Sequence, residues 1–156
     1  MPVTIRAAAL ADAPGIHRLL DTYAREHLLL ARSLGTVYEN LRDFRVAVDG
    51  ELLGCTALHL VNERLAEVKS LAVAPGAAGR GIGRALVVNA CAEAAAWGLE
   101  RVFCLTYQVG FFARLGWVRV DRSRLPEKIW SECVRCDRFL DCDETAMWKP
   151  VAPTAQ

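Results

Sequence analysis

The chain has 156 residues, 53% hydrophobic and 24% charged, a composition that fits one well-packed globular domain and excludes a disordered chain. Its net charge of +1 supplies no basic surface for nucleic acid or an anionic membrane, and no apolar run reaches the roughly 18 residues of a membrane-spanning helix. The opening Met1-Pro2-Val3-Thr4-Ile5-Arg6 lacks the charged and apolar regions of a signal peptide, so the sequence predicts a cytoplasmic protein.

Val3 to Arg6 reads as a short strand. Asp12-Ala13-Pro14 opens a helix with Asp12 as N-cap, and Ile16, Leu19, Leu20 and Tyr23 recur at helical spacing to carry it to about Leu28. Beyond a break, Ser33 caps a second, short helix through Val37, Tyr38 and Leu41. Phe44 to Val48 and Leu52 to Val61, joined by Asp49-Gly50, predict a hairpin closed by a type I′ turn. Glu67 to Val73 predicts another strand, and Ile82 to Trp97 an Ala-rich helix ended by Gly98. Arg101 to Thr106 predicts a strand, Gln108 to Leu115 a short helix closed by Gly116, and Trp117 to Val120 a strand. Residues 121–142 are polar and irregular, Glu144 to Lys149 form a last strand, and residues 151–156 are expected to fray. This order predicts one α/β domain over residues 1–150, with helices packed on a mixed sheet.

Cys55, Cys91 and Cys104 sit singly in apolar segments and read as small buried hydrophobes. Cys133, Cys136 and Cys142 cluster as C-x2-C-x5-C. A reducing compartment disfavours disulfides, and a structural zinc site wants four ligands. The nearest fourth candidates are Asp137, Asp141 and Asp143, no histidine follows, and no metal is assigned.

The densest motif is Gly79-Arg80-Gly81-Ile82-Gly83-Arg84, three glycines and two arginines in six residues between a strand and a helix. Glycine lets backbone amides turn inward and a ligand approach closely, and the helix N-terminus adds partial positive charge, so the turn suits a pyrophosphate. A P-loop would need Gly-Lys-Ser/Thr, but Arg84 follows Gly83. A dinucleotide fingerprint would need G-x-G-x-x-G and an acid ending the next strand; here the third glycine comes one residue early and that strand ends in Leu105-Thr106-Tyr107.

Val73-Ala74-Pro75 followed by Gly79 through Leu86 resembles the acetyl-CoA motif of the GNAT N-acetyltransferase superfamily, and the strand–helix order from about residue 3 to 120 is similar to that of the family. The resemblance implies a mixed, mostly antiparallel sheet flanked by helices, with a splayed central strand pair for acetyl-CoA as co-substrate. It implies that Ala78, Gly79, Arg80, Gly81, Ile82, Gly83 and Arg84 hold the pyrophosphate, and that Leu71, Ala72 and Val73 hold the pantetheine arm through the backbone. A bulge in that strand would splay it from Val102–Thr106 and open the thioester slot. The family turn commonly opens on Gln or Arg where Ala78 stands here, which leaves Arg80 or Arg84 to supply charge.

Four further stretches resemble the short bacterial amino-acid N-acetyltransferases that act as N-acetylglutamate synthases. They are Leu28–Ser33, Ala66–Val73, Leu105–Gln108 with Phe111-Phe112 and Gly116-Trp117, and Leu125-Pro126-x-Lys128-x-Trp130-x-x-Cys133-x-x-Cys136 with Cys142-Asp143-Glu144. The resemblance implies acetylation of the α-amine of glutamate, the first step of arginine synthesis. A dicarboxylate acceptor needs fixed cations, and the planar fork of arginine suits a carboxylate. Arg32 is the first candidate, with Ser33 adding a hydroxyl, Lys69 a strand-borne cation and Lys128 a cation from the tail; Thr106 and Tyr107 end the strand at the expected thioester slot. The bland alternatives are a helix join at Arg32 and a solvent-facing Lys69.

Acetyl transfer needs a neutral amine, so a base must take a proton, and Glu67 stands where many GNAT enzymes place such a carboxylate; the alternative is an exposed strand residue or a partner of Lys69. A backbone amide at Leu71-Ala72 would face the tetrahedral oxyanion. The family's usual tyrosine acid, four residues before a glycine, is Phe112 here, which leaves Tyr107 or water to protonate the CoA thiolate. Cys104 has no paired histidine, so direct transfer is expected. Residues 121–142 are a candidate lid anchored by Trp130 and Phe139. Other readings stay open: a GNAT enzyme for another amino acid, an amine or a protein N-terminus, or a non-catalytic acyl-CoA or zinc-binding module. A homodimer is compatible with a small enzyme of this family.

Overall fold

The computed structural model describes residues 2–26, 32–126 and 144–151. It holds seven strands, β1 (Thr4–Ala7), β2 (Phe44–Asp49), β3 (Glu51–Leu60), β4 (Leu65–Val73), β5 (Arg101–Thr106), β6 (Val118–Arg119) and β7 (Thr145–Pro150). The helices are α1 (Ala13–Ala24), α2 (Leu34–Glu39), α3 (Ile82–Trp97) and α4 (Val109–Arg114). This is the expected mixed α/β fold, with mostly antiparallel strands flanked by helices. The chain groups into two compact units, Met1–Val102 with Pro150–Gln156, and Phe103–Lys149. Among the described residues no helix is long and apolar enough to cross a membrane.

In the first unit β1, β2, β3 and β4 pair in sequence order, every neighbour antiparallel. Helices α1 and α2 cover one face: Ile16, Leu19, Leu20 and Val37 bury against Phe44, Val46, Cys55 and Ala57. Helix α3 covers the other, where Ile82 and Leu86 meet Ala47, Leu53, Leu71 and Val73. Burying each such aliphatic side chain contributes about 1.5–3 kcal/mol. In the second unit α4 places Phe112 edge-on to Trp117, ring centroids 4.9 Å apart, and β6 pairs with β7.

Two local expectations are corrected. Asp12 stands at the N-cap position of α1, but its carboxylate makes no cap bond there. It accepts instead from Ala9 N (2.7 Å) and from the Arg6 guanidinium (2.7 and 3.1 Å), tying β1 to the helix start. The β2–β3 turn is not type I′: Gly50 has φ +74°, while Asp49 is not left-handed. The register slips instead between Ala47, opposite Gly54, and Val48, opposite Leu52. Pro150 closes β7 and Val151 N donates to Glu100 O at 2.9 Å; residues 152–156 of the expected tail lie outside the described residues. Helix α1 ends at Ala24; the remainder of its expected span includes residues outside those described.

Candidate functional site

The glycine turn joins β4 to α3. Pro75–Ala77 make one 3-10 turn, closed by Ala77 N to Ala74 O at 2.9 Å. Gly79 (φ +84°) and Gly81 (φ +73°) then take left-handed backbone, and a Cβ on either would meet nothing within 4 Å. Gly81 is the N-cap of α3 and no side chain caps the helix. The first bond back into the helix is Ala85 N to Gly81 O at 3.0 Å, so the amides of Ile82, Gly83 and Arg84 have no partner within it. Those amides sit at the positive end of a 16-residue helix, an anion site by construction. Ile82 is buried and anchors the turn, while Ala78, Gly79, Arg80 and Arg84 are exposed around it. The Arg80 guanidinium donates to Asp49 Oδ2 at 3.2 Å, which holds it beside the β2–β3 hairpin.

Gly54 seats that helix. A Cβ there would stand 3.0 Å from Ile82 Cγ2, 3.1 Å from Leu86 Cδ1 and 3.1 Å from Ala72 O. A lone glycine inside a strand pattern is the sequence signal for such a close approach.

Strand β4 carries a bulge where a thioester slot was expected. Ala57 pairs with Lys69 but Cys55 with Ala72, so two steps on β3 match three on β4. Ser70 takes φ +54°, the one non-glycine in left-handed backbone among the described residues. Side chains of β3 satisfy the distorted carbonyls: Thr56 Oγ1 donates to Lys69 O at 3.1 Å, and Cys55 Sγ to Ser70 O at 3.5 Å. Burial pushes the Cys55 thiol up to about 12, which keeps it an inert donor. Tyr23 O–H, at the end of the α1 stripe, donates to Val73 O at 2.5 Å and pins α1 to the same stretch. Thus Leu71, Ala72 and Val73 run from the bulge directly into the glycine turn.

The bulge also reverses the side-chain alternation. Before it, Glu67 and Lys69 lie opposite His59 and Ala57, on the α1/α2 face. After it, Leu71 and Val73 face α3. Glu67 and Lys69 are brought together, Oε1 to Nζ 3.8 Å, with side chains only 11% and 15% exposed. Lys69 is therefore not the solvent-facing lysine of simple alternation. Beside them His59 Nδ1 bonds Asp43 Oδ2 at 2.7 Å. That bond, with help from the charges of Asp43 and Glu67, raises the His59 pKa against the opposing effects of burial and Lys69.

Ser33 is the N-cap of α2: its Oγ accepts from Thr36 N at 3.1 Å and lies 3.0 Å from Thr36 Oγ1, so the hydroxyl serves the helix first. Arg32, half-buried, precedes it. In the second unit Thr106 is buried and its Oγ1 accepts from Gln108 N at 2.7 Å, ending β5, with Tyr107 half-buried beside it. Phe112 is buried among aromatic rings. Lys128, the cysteines at 133, 136 and 142 and most of the expected lid lie outside the described residues. The sequence reading missed Gly54, Tyr23 as a hydrogen-bond donor, and the Asp43–His59 pair.

Comparison with known proteins gives this arrangement a setting. The model of the acetyltransferase (GNAT) family matches residues 10–117. An uncharacterized N-acetyltransferase of Chlorobaculum tepidum is 42% identical over 93% of this chain and 94% of its own. The amino-acid acetyltransferase of Mycobacterium tuberculosis is 37% identical over 84% of this chain and 77% of its own. Among solved structures, the N-acetylglutamate synthase of Neisseria gonorrhoeae, complexed with coenzyme A and N-acetyl-glutamate, superposes with a TM-score of 0.88 at 27% identity, over 98% of this chain and 36% of that one.

Proposed function

Given that the chain belongs to the acetyltransferase (GNAT) family and takes acetyl-CoA as co-substrate, we propose that its acceptor is the α-amine of L-glutamate and that it serves arginine synthesis as a single acetyltransferase domain over residues 1–150. The observation that carries this reading is the enclosed Glu67–Lys69 pair on β4, a carboxylate and a fixed cation 3.8 Å apart. A carboxylate acts on an ammonium, a cation holds a carboxylate, and an α-amino acid presents both on one carbon. The likeness to an N-acetylglutamate synthase complexed with N-acetyl-glutamate supports the same acceptor.

In this mechanism the amides of Ala78 through Arg84 hold the pyrophosphate, and the backbone of Leu71, Ala72 and Val73 aligns the pantetheine arm. Glu67 takes one proton from the ammonium. The amine then attacks the thioester carbonyl, and an amide at Leu71-Ala72 meets the oxyanion. As the C–S bond breaks, Tyr107, the candidate donor, gives its O–H proton to the thiolate sulfur, and the second nitrogen proton returns to the Tyr107 oxygen, directly or through water. Transfer is direct, with no acyl-enzyme. Arg32, Ser33, Lys69, Thr106 and Lys128 are the candidate acceptor-binding residues. The test is thiol release from acetyl-CoA across a panel of free amino acids. The expected result is a kcat/KM for glutamate well above the rest, reduced at least about tenfold in Arg32→Ala, the loss of a charge-assisted bond. Turnover of an uncharged amine in preference to every amino acid would overturn the reading.

A further inference from the structure

Glu67 is a base with a problem of egress. Its side chain is 11% exposed, and its near neighbour Lys69 is itself a cation with no site for a proton. Directly across the β3–β4 ladder stands His59, on the same face, where cross-strand Cβ atoms lie about 4.5–5.5 Å apart. The His59 side chain is 46% exposed, and Asp43 Oδ2 fixes its Nδ1 at 2.7 Å. A carboxylate that holds Nδ1–H leaves Nε2 as the titrating nitrogen and steadies the ring. The charged groups facing His59 are Asp43 from the turn before β2, and Glu67 and Lys69 from β4. Two oxygens bearing negative charge and one ammonium surround the ring, which favours the imidazolium on balance.

We propose that the Asp43–His59 pair is a proton outlet for Glu67: the proton that Glu67 removes from the acceptor ammonium passes to His59 Nε2, directly or through one water, and leaves from there to solvent. This rests on the reading of Glu67 as base. One N–H bond of the ammonium breaks, Glu67 returns to its carboxylate, and neutral His59 becomes imidazolium before releasing the same proton. Asp43 keeps its charge throughout and acts only through His59, as a positioning residue. The arrangement places an imidazole, its pKa raised by the bond to Asp43, at the surface end of the path, where its half-exposed ring can exchange a proton with solvent.

The test is the pH profile of kcat/KM, with whichever acceptor the wild-type enzyme turns over, in wild type, His59→Gln, Asp43→Asn and Glu67→Gln. The outlet predicts that Asp43→Asn moves the acid limb to lower pH while keeping the plateau. His59→Gln should abolish that limb and lower kcat about tenfold, less than the roughly 10²–10⁴ that a general base supplies, with KM little changed. The His59 pKa read by NMR in the free wild-type enzyme should match the limb, and this measurement needs no variant to fold. A limb at the same pH in wild type and Asp43→Asn, or an NMR pKa distinct from it, overturns the outlet. Full activity in Glu67→Gln instead overturns the base reading beneath it, and so separates the two failures.

Discussion

Gly54→Ala probes the seat of the anion site without touching it. The added methyl would stand 3.0 Å from Ile82 Cγ2 and 3.1 Å from both Leu86 Cδ1 and Ala72 O, each a few tenths of an ångström too close. The carbonyl cannot retreat, because Ala72 is locked opposite Cys55 in the β3–β4 ladder. Relief must come from α3, whose first residue is Ile82. Overpacking of this kind costs about 1–3 kcal/mol. At roughly 2–4 °C per kcal/mol for a chain of this size, Tm falls by about 2–12 °C. The same shift displaces the uncapped amides of Ile82, Gly83 and Arg84, so CoA binding weakens by calorimetry as well. Gly76→Ala is the control: it has open space and no positive φ, and fewer unfolded conformers leave it neutral or slightly more stable. A Gly54→Ala protein with wild-type Tm and wild-type CoA affinity would refute the claim that this glycine sets the helix position.

Tyr23→Phe removes the donor to Val73 O, with an expected cost of about 0.5–1.5 kcal/mol in chemical denaturation and a raised KM for acetyl-CoA; an unchanged KM would separate that bond from the cofactor. Asp12→Asn is expected to cost up to about 1 kcal/mol at pH 7: the amide oxygen can still accept from Ala9 N, so the loss is the charge and the second acceptor oxygen facing Arg6, a half-exposed partner screened by solvent. The bond from Arg6 lowers the Asp12 pKa, so the stabilisation is complete above the unfolded value near ~3.9 and is lost as pH falls through the folded value. The gap between wild type and Asp12→Asn should therefore close on acidification, and a gap constant down to pH 2 would count against the assignment.

The elements written in local chemistry were legible in the sequence. Helix α3 runs over the expected Ile82–Trp97 because an Ala-rich run lies between an N-terminal glycine turn and Gly98 in left-handed backbone. Strand β5 matches Arg101–Thr106, and Ser33 caps α2 as its hydroxyl predicts. The backbone of the candidate turn was legible where glycine marks it, at Gly79 and Gly81, since positive φ leaves a trace in composition. Where a serine takes that backbone, the bulge was expected only from the family resemblance and not from the residues themselves. Strict alternation puts Glu67, Lys69, Leu71 and Val73 on one face, and nothing in the letters Lys69-Ser70-Leu71 announces an extra residue. The Asp43–His59 bond was hidden for another reason: the pair is 16 residues apart and meets only after the hairpin folds.

That single bulge does more than open backbone for a ligand. Without it the Glu67–Lys69 pair would share a face with Leu71 and Val73 and press into the apolar layer under α3. An ion pair there loses its hydration with little compensation. With the bulge, one continuous strand presents carboxylate and ammonium to the α1/α2 side and aliphatic side chains to the α3 side, all within Glu67–Val73. The fully buried Thr56 and Cys55 supply the hydrogen bonds that let the backbone hold this phase change. The polarity of those two core residues is thus explained by the strand beside them. The position of the candidate base then follows from the same distortion that leads β4 into the glycine turn, so in the proposed mechanism acceptor and cofactor chemistry would both rest on one backbone irregularity.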